Sequence, residues 1–152
     1  MGQPYPYKKQ FAYRYTFVSL GKERIEKIAI FSSTPIENFY NFGFGDLTPD
    51  GSMDHSIRSN NGDLINVLAT VIEILKAFLA EHPSATAFFV GSTPTRTALY
   101  RRILKTYYQT FSNDFIISAF IGNENNLQET LFDPTSNQEY LGFLVKKIVV
   151  NL

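Results

Sequence analysis

The stretch "LINVLATVIEILKAFLAEHPSATAFFVG", Leu64 to Gly91, joins two patterns of different period, and that change decides the fold. Leu64, Val67, Leu68, Val71, Ile72, Leu75, Phe78 and Leu79 recur at about 100° per residue and form one broad apolar stripe. Asn66, Glu73, Lys76 and Ala77 fall opposite, so the segment reads as a core helix ending near His82 and Pro83. "TAFFVG" follows as a short, wholly apolar run between turn formers, the pattern of an interior strand.

Upstream, "FAYRYTFVSL", Phe11 to Leu20, alternates with the period of a half-buried strand and is rich in good strand formers. Gly21 and Lys22 read as a turn, and "RIEKIAIF" returns as the second arm of a hairpin. "FYNFGFGDL" is the third strand, in which Gly43 and Gly45 permit a bulge or the close approach of another backbone. "TPDGSMDHSIRSNNGD" has no apolar period and reads as a long loop. Asn61 is expected to cap the helix that follows, and Asp63 suits its positive end.

Downstream, Pro94 opens a second helix running from about Thr95 to Phe111. "FIISAFIG" is another interior strand, "NENNLQ" a polar connection, and "ETLFDPTSNQEYLGFLVKKIVV" a closing hairpin around Asp133 to Asn137. The expected fold is α+β, a mostly antiparallel sheet with two main helices packed on one face, in the order βββ-α-β-α-β-ββ. We expect a single domain over 1–152, with residues 1–10 as a poorly ordered tail.

Fourteen Lys and Arg balance fourteen Asp and Glu, so no global field draws the chain to nucleic acid or anionic lipid. The absence of cysteine excludes disulfides, thiolate metal sites and cysteine nucleophiles, and fits a reducing compartment. No secretory signal pattern is visible, nor any run approaching the roughly 18 apolar residues of a membrane span; the expected location is cytoplasmic. No catalytic constellation, cofactor or metal is expected. "GSTPTRT" lacks the P-loop spacing, and "NFGFGD" lacks the third glycine and following helix of a dinucleotide fingerprint.

One feature points to a ligand. The elbow "GSTPTR", Gly91 to Arg96, leads from the interior strand into the second helix. A helix start presents unsatisfied amides and partial positive charge, Gly91 allows close approach, and Ser92, Thr93 and Thr95 offer hydroxyls. On a helical projection Arg96 falls among the apolar positions, and an inward guanidinium must meet a carboxylate, carbonyl oxygens or a bound anion. The expected site for a phosphate- or nucleotide-like anion is Gly91, Ser92, Thr93, Thr95 and Arg96, with Arg58 facing the ligand and Asp46 or Asp63 orienting the arginines. The alternative is a structural elbow, in which Ser92 or Thr93 caps the helix and Arg96 pairs with Asp46 or Asp63. The protein then acts as an interaction module, through a sheet edge or exposed aromatic surface, with a protein partner or as a homo-oligomer. A weaker alternative is nucleic-acid contact by Arg101, Arg102 and Lys105, expected on the solvent face of the second helix.

Taken together, "YNFGFGD", "SNNGDLINVLATV" and "GSTPTRTALYRRI" resemble the signature segments of a family of small bacterial proteins of unknown function. The resemblance covers most of the chain. It implies a stand-alone, single-domain bacterial protein and brings no activity, substrate or cofactor with it.

Overall fold

The computed structural model describes residues 2–11, 13–54, 61–89, 94–123 and 125–148, with only the backbone of 94–96. The described residues form an α+β chain in which sheet predominates: β1 (Tyr7–Gln10), β2 (Arg14–Leu20), β3 (Arg24–Ser33), β4 (Phe39–Leu47), β5 (Met53–Asp54), α1 (Leu64–Glu81), β6 (Thr86–Phe89), α2 (Pro94–Thr106), α3 (Tyr108–Phe111), β7 (Phe115–Asn123), β8 (Asn126–Leu131) and β9 (Gly142–Lys147). The chain divides into two compact units, one of residues 1–32 and 43–78, the other of 33–42 and 79–152.

In the first unit, β2 and β3 form the expected hairpin, with Arg14 opposite Ile30 and Leu20 opposite Arg24. Residues expected as a tail instead supply β1, which pairs antiparallel with β2 from Tyr7 opposite Phe17 to Gln10 opposite Arg14. The loop after β4 contains β5, antiparallel to β4. Gly45 is the reason they can meet: a Cβ there would stand 2.4 Å from the Asp54 carbonyl oxygen.

The α1 stripe is buried at Val67, Leu68, Val71, Ile72, Leu75, Phe78 and Leu79, whereas Leu64, placed on the same stripe by its spacing, is exposed. Phe78 stacks on Phe31 with ring centroids 3.8 Å apart and meets Tyr13 edge-on at 5.9 Å. Truncating such a fully buried ring costs roughly 3–5 kcal/mol.

Asn61 does not cap α1. Its Nδ2 donates to the Glu23 carbonyl (2.8 Å) and to Ser19 Oγ (3.0 Å), while Oδ1 accepts from the Glu23 amide (2.7 Å) and its carbonyl accepts from the Lys22 amide (2.8 Å). A buried amide side chain is satisfied better by the orphan groups of the tight β2–β3 turn than by a helix end open to water. Gly21 makes the approach possible, since any Cβ there would collide with the Asn61 carbonyl oxygen.

In the second unit, the first residues of β4 pair with β6 in parallel, Phe39 opposite Thr86 and Asn41 opposite Phe88. Parallel neighbours need a long crossover, and the chain between them contains α1. β9 pairs antiparallel with both β6 and β7, and β7 pairs antiparallel with β8. The expected closing hairpin is therefore not one: β7 lies between β8 and β9. The tight connection from Asn123 to Asn126 closes β7 on β8 locally, leaving the other edge of β7 for β9. The second helix is two, α2 and α3, joined at Tyr107. Tyr100, Ile103, Leu104, Tyr107 and Phe111 are buried as their spacing requires.

Candidate functional site

The strands of the second unit carry apolar side chains on both faces. In β6, Ala87 and Phe89 are buried and Phe89 meets Tyr100 edge-on at 5.5 Å, so this face is covered by α2. Thr86 and Phe88 point the other way and are only half-buried. The register continues that outer face across the unit: Phe88 is opposite Leu144, Leu144 opposite Ser118, and Ser118 opposite Leu131.

Three phenylalanines run across the outer face in a row. Phe39 and Phe88 lie 5.6 Å apart, and Phe88 meets Phe120 edge-on at 5.7 Å. Phe88 on β6 reaches Phe120 on β7 across β9 because Gly142 stands between them; a Cβ there would be 3.1 Å from the Phe88 ring. Beyond the rings Leu131 is 71 % exposed, Leu127 54 % and Ile116 36 %. Among the described strand residues two charges share the face, Lys146 opposite Ile116 and Glu129 opposite Phe120, both exposed. Asn41, Thr86 and Ser118 share the face with the two charges, so apolar rings and polar groups alternate across it.

Of the elbow, Gly91, Ser92 and Thr93 lie outside the described residues, as do the side chains of Thr95 and Arg96, and Arg58 lies outside them too. β6 ends at Phe89 and α2 opens at Pro94, so the backbone steps from strand to helix where the spacing places it.

The two acids expected beside the arginines have described partners of their own. Asp46 Oδ1 lies 2.5 Å from the ammonium of Lys27, a residue 3 % exposed. Asp63 Oδ2 accepts from the hydroxyls of Tyr5 (2.6 Å) and Ser19 (2.5 Å). The N-terminal segment is fixed further along α1, where the Tyr5 amide donates to Thr70 Oγ1 (2.7 Å) and the Gln3 amide to Asn66 Oδ1 (3.0 Å). Burial, and then the bond to Asp63, push the Tyr5 hydroxyl pKa up from its ordinary value.

On α2, Arg102 and Lys105 are exposed as expected. Arg101 is half-buried and donates to the Ser136 carbonyl, so it ties α2 to the loop before β9 instead of standing free in solvent. Among the described residues, no three His, Asp or Glu side chains gather in a way that would hold a metal. No helix among them is long and apolar enough to cross a membrane.

The sequence offers an exposed aromatic surface only as part of the alternative reading and does not say which rings would form it. The signal lies in "TAFFVG" itself: Phe88 and Phe89 are successive, so in a strand they fall on opposite faces and cannot both be covered by one helix.

A family model described as a family of unknown function, DUF6934, matches residues 1–148. No curated protein and no solved structure matches the chain. The chain belongs to that family.

Proposed function

We propose that this member of DUF6934 is an interaction module that binds another macromolecule through the outer face of its second unit. The observation that carries the reading is the row Phe39, Phe88 and Phe120, half-buried and flanked by exposed Leu127 and Leu131. Aromatic rings combine large contact area with little conformational entropy to lose, and clustered exposed apolar side chains mark interaction surfaces more often than catalytic ones. The reading takes the protein as cytoplasmic. A photo-crosslinking amino acid placed at Leu127 should give protein adducts in cells, and the same group at Glu73 on α1 should not. Equal labelling from both positions removes the proposal.

A second reading keeps the elbow, residues 91–96, as an anion site. It is supported by α2 opening at Pro94, within that segment. Arg96→Ala should then abolish a thermal shift given by phosphorylated compounds while leaving the unliganded melting temperature within a few degrees. The absence of any shift from such compounds on the wild-type chain counts against it.

A further inference from the structure

We infer that the occupant of the aromatic face is a second copy of this chain, seated about a two-fold axis near Ser118; the inference rests on the interaction reading above. The two charges stand symmetrically about that residue. Lys146 is opposite Ile116, and Ser118 is two residues further along β7. Glu129 is opposite Phe120, and Ser118 is two residues back along the same strand. Ser118 is therefore midway between the positive and the negative group, one strand and two residues from each.

A two-fold axis lying in the contact plane, passing through that midpoint and perpendicular to the line from Lys146 to Glu129, places Lys146 of each copy against Glu129 of the other. Each contact is then made twice, as an isologous interface requires. An apolar face with one positive and one negative charge, set symmetrically about a small buried residue, is complementary to itself. It asks no excess of either charge from another chain. Ser118 leaves the centre low, and the rings of Phe88 and Phe120 rise beside it.

The size of the face sets the strength. Five strands about 4.8 Å apart and some six residues long at about 3.3 Å each give a patch of roughly 24 by 20 Å. Two such faces together bury on the order of 1,000 Å², which is below the range of stable interfaces and in that of transient ones, so the dimer is reversible and depends on concentration.

Sedimentation equilibrium on the full chain tests this. The wild type should dimerise with a dissociation constant of about 10 μM, within the range of small interfaces. Lys146→Glu and Glu129→Lys should each weaken the dimer roughly tenfold by setting like charges together, and the double swap should restore it because both contacts are re-formed with reversed sign. Phe120→Lys, with an unchanged circular dichroism spectrum, should leave monomer only. Monomer at all concentrations up to about 1 mM overturns the inference, as does a dimer indifferent to all four variants. If crosslinks from Leu127 reach a protein other than this chain while the wild type sediments as monomer, the second copy falls and the interaction reading stands; with no adduct and no dimer, both fall.

Discussion

Lys27 and Asp46 form an ion pair 2.5 Å long in which the lysine side chain is 4 % exposed and the aspartate 25 %. The asymmetry decides which partner is more costly to remove. Asp46→Asn leaves an ammonium away from water and should destabilise the chain by about 3 kcal/mol, whereas Lys27→Met leaves a carboxylate that water already reaches and should cost less. Urea denaturation of the two variants checks the order, and a larger loss from Lys27→Met reverses the argument.

Asn61 and Gly21 depend on one another. Asn61→Ala removes three side-chain bonds to the β2–β3 turn and leaves the Glu23 amide unmatched, so a loss of about 2–3 kcal/mol is expected. Gly21→Ala should cost at least as much by collision alone. The two losses should not add in the double variant, because either change already parts the turn from residue 61.

Tyr5 predicts an alkaline limit. Its raised pKa means that the fold holds the neutral hydroxyl better than the unfolded chain does. That contribution is complete below the ordinary tyrosine pKa of about 10 and is lost as pH rises from there through the higher folded value. Tyr5→Phe should therefore lower stability by about 1 kcal/mol at neutral pH, with the gap to wild type closing above pH of about 10. A gap constant to the top of that range would show that the hydroxyl bond contributes nothing.

In the loop between β4 and β5, the hydroxyls of Thr48 and Ser52 hold the Asp50 carboxyl pKa down to about 2. The charged form is the bonded one, so these bonds are intact above the ordinary carboxylate pKa and fail as pH falls through about 2. Carbon-detected NMR titration should place the Asp50 midpoint there, and Thr48→Val should return it toward the ordinary value. An unshifted wild-type midpoint would refute the bonding pattern.

Gly142 carries a packing prediction. Gly142→Ala sets a methyl 3.1 Å from both the Phe88 ring and the Phe89 carbonyl oxygen. The ring must tilt away from Phe120, at a cost of about 1–2 kcal/mol, and near-ultraviolet dichroism should change with it. An unchanged spectrum and stability would mean that the row has room to spare.

The elements legible in the sequence were those whose signal is local. The α1 stripe, the hairpin about Gly21 and the strand "FYNFGFGDL" follow from periodicity and turn chemistry within a few residues. β1 and β5 were missed because "YKKQ" and "MD" carry no apolar period and are strands only through their partners. The placement of β9 was missed for a related reason: whether it pairs with β8 or β7 depends on which edge is already taken. The outer face was hidden because a phenylalanine that waits half-covered and one sealed in a core look alike in sequence. Leu127 and Leu131 gave no clearer sign, since isolated exposed leucines are ordinary.

β9 joins β6 on one side to β7 on the other, so the strands before it have no shared ladder until Gly142 to Lys147 arrive. During synthesis, the second unit must wait with those edges bare until residue 147 has cleared the ribosome, however much of the preceding chain is already outside. A message cut short before codon 142 yields a product whose β6 and β7 both lack their neighbour, which is bait for chaperones and proteases rather than a smaller working protein.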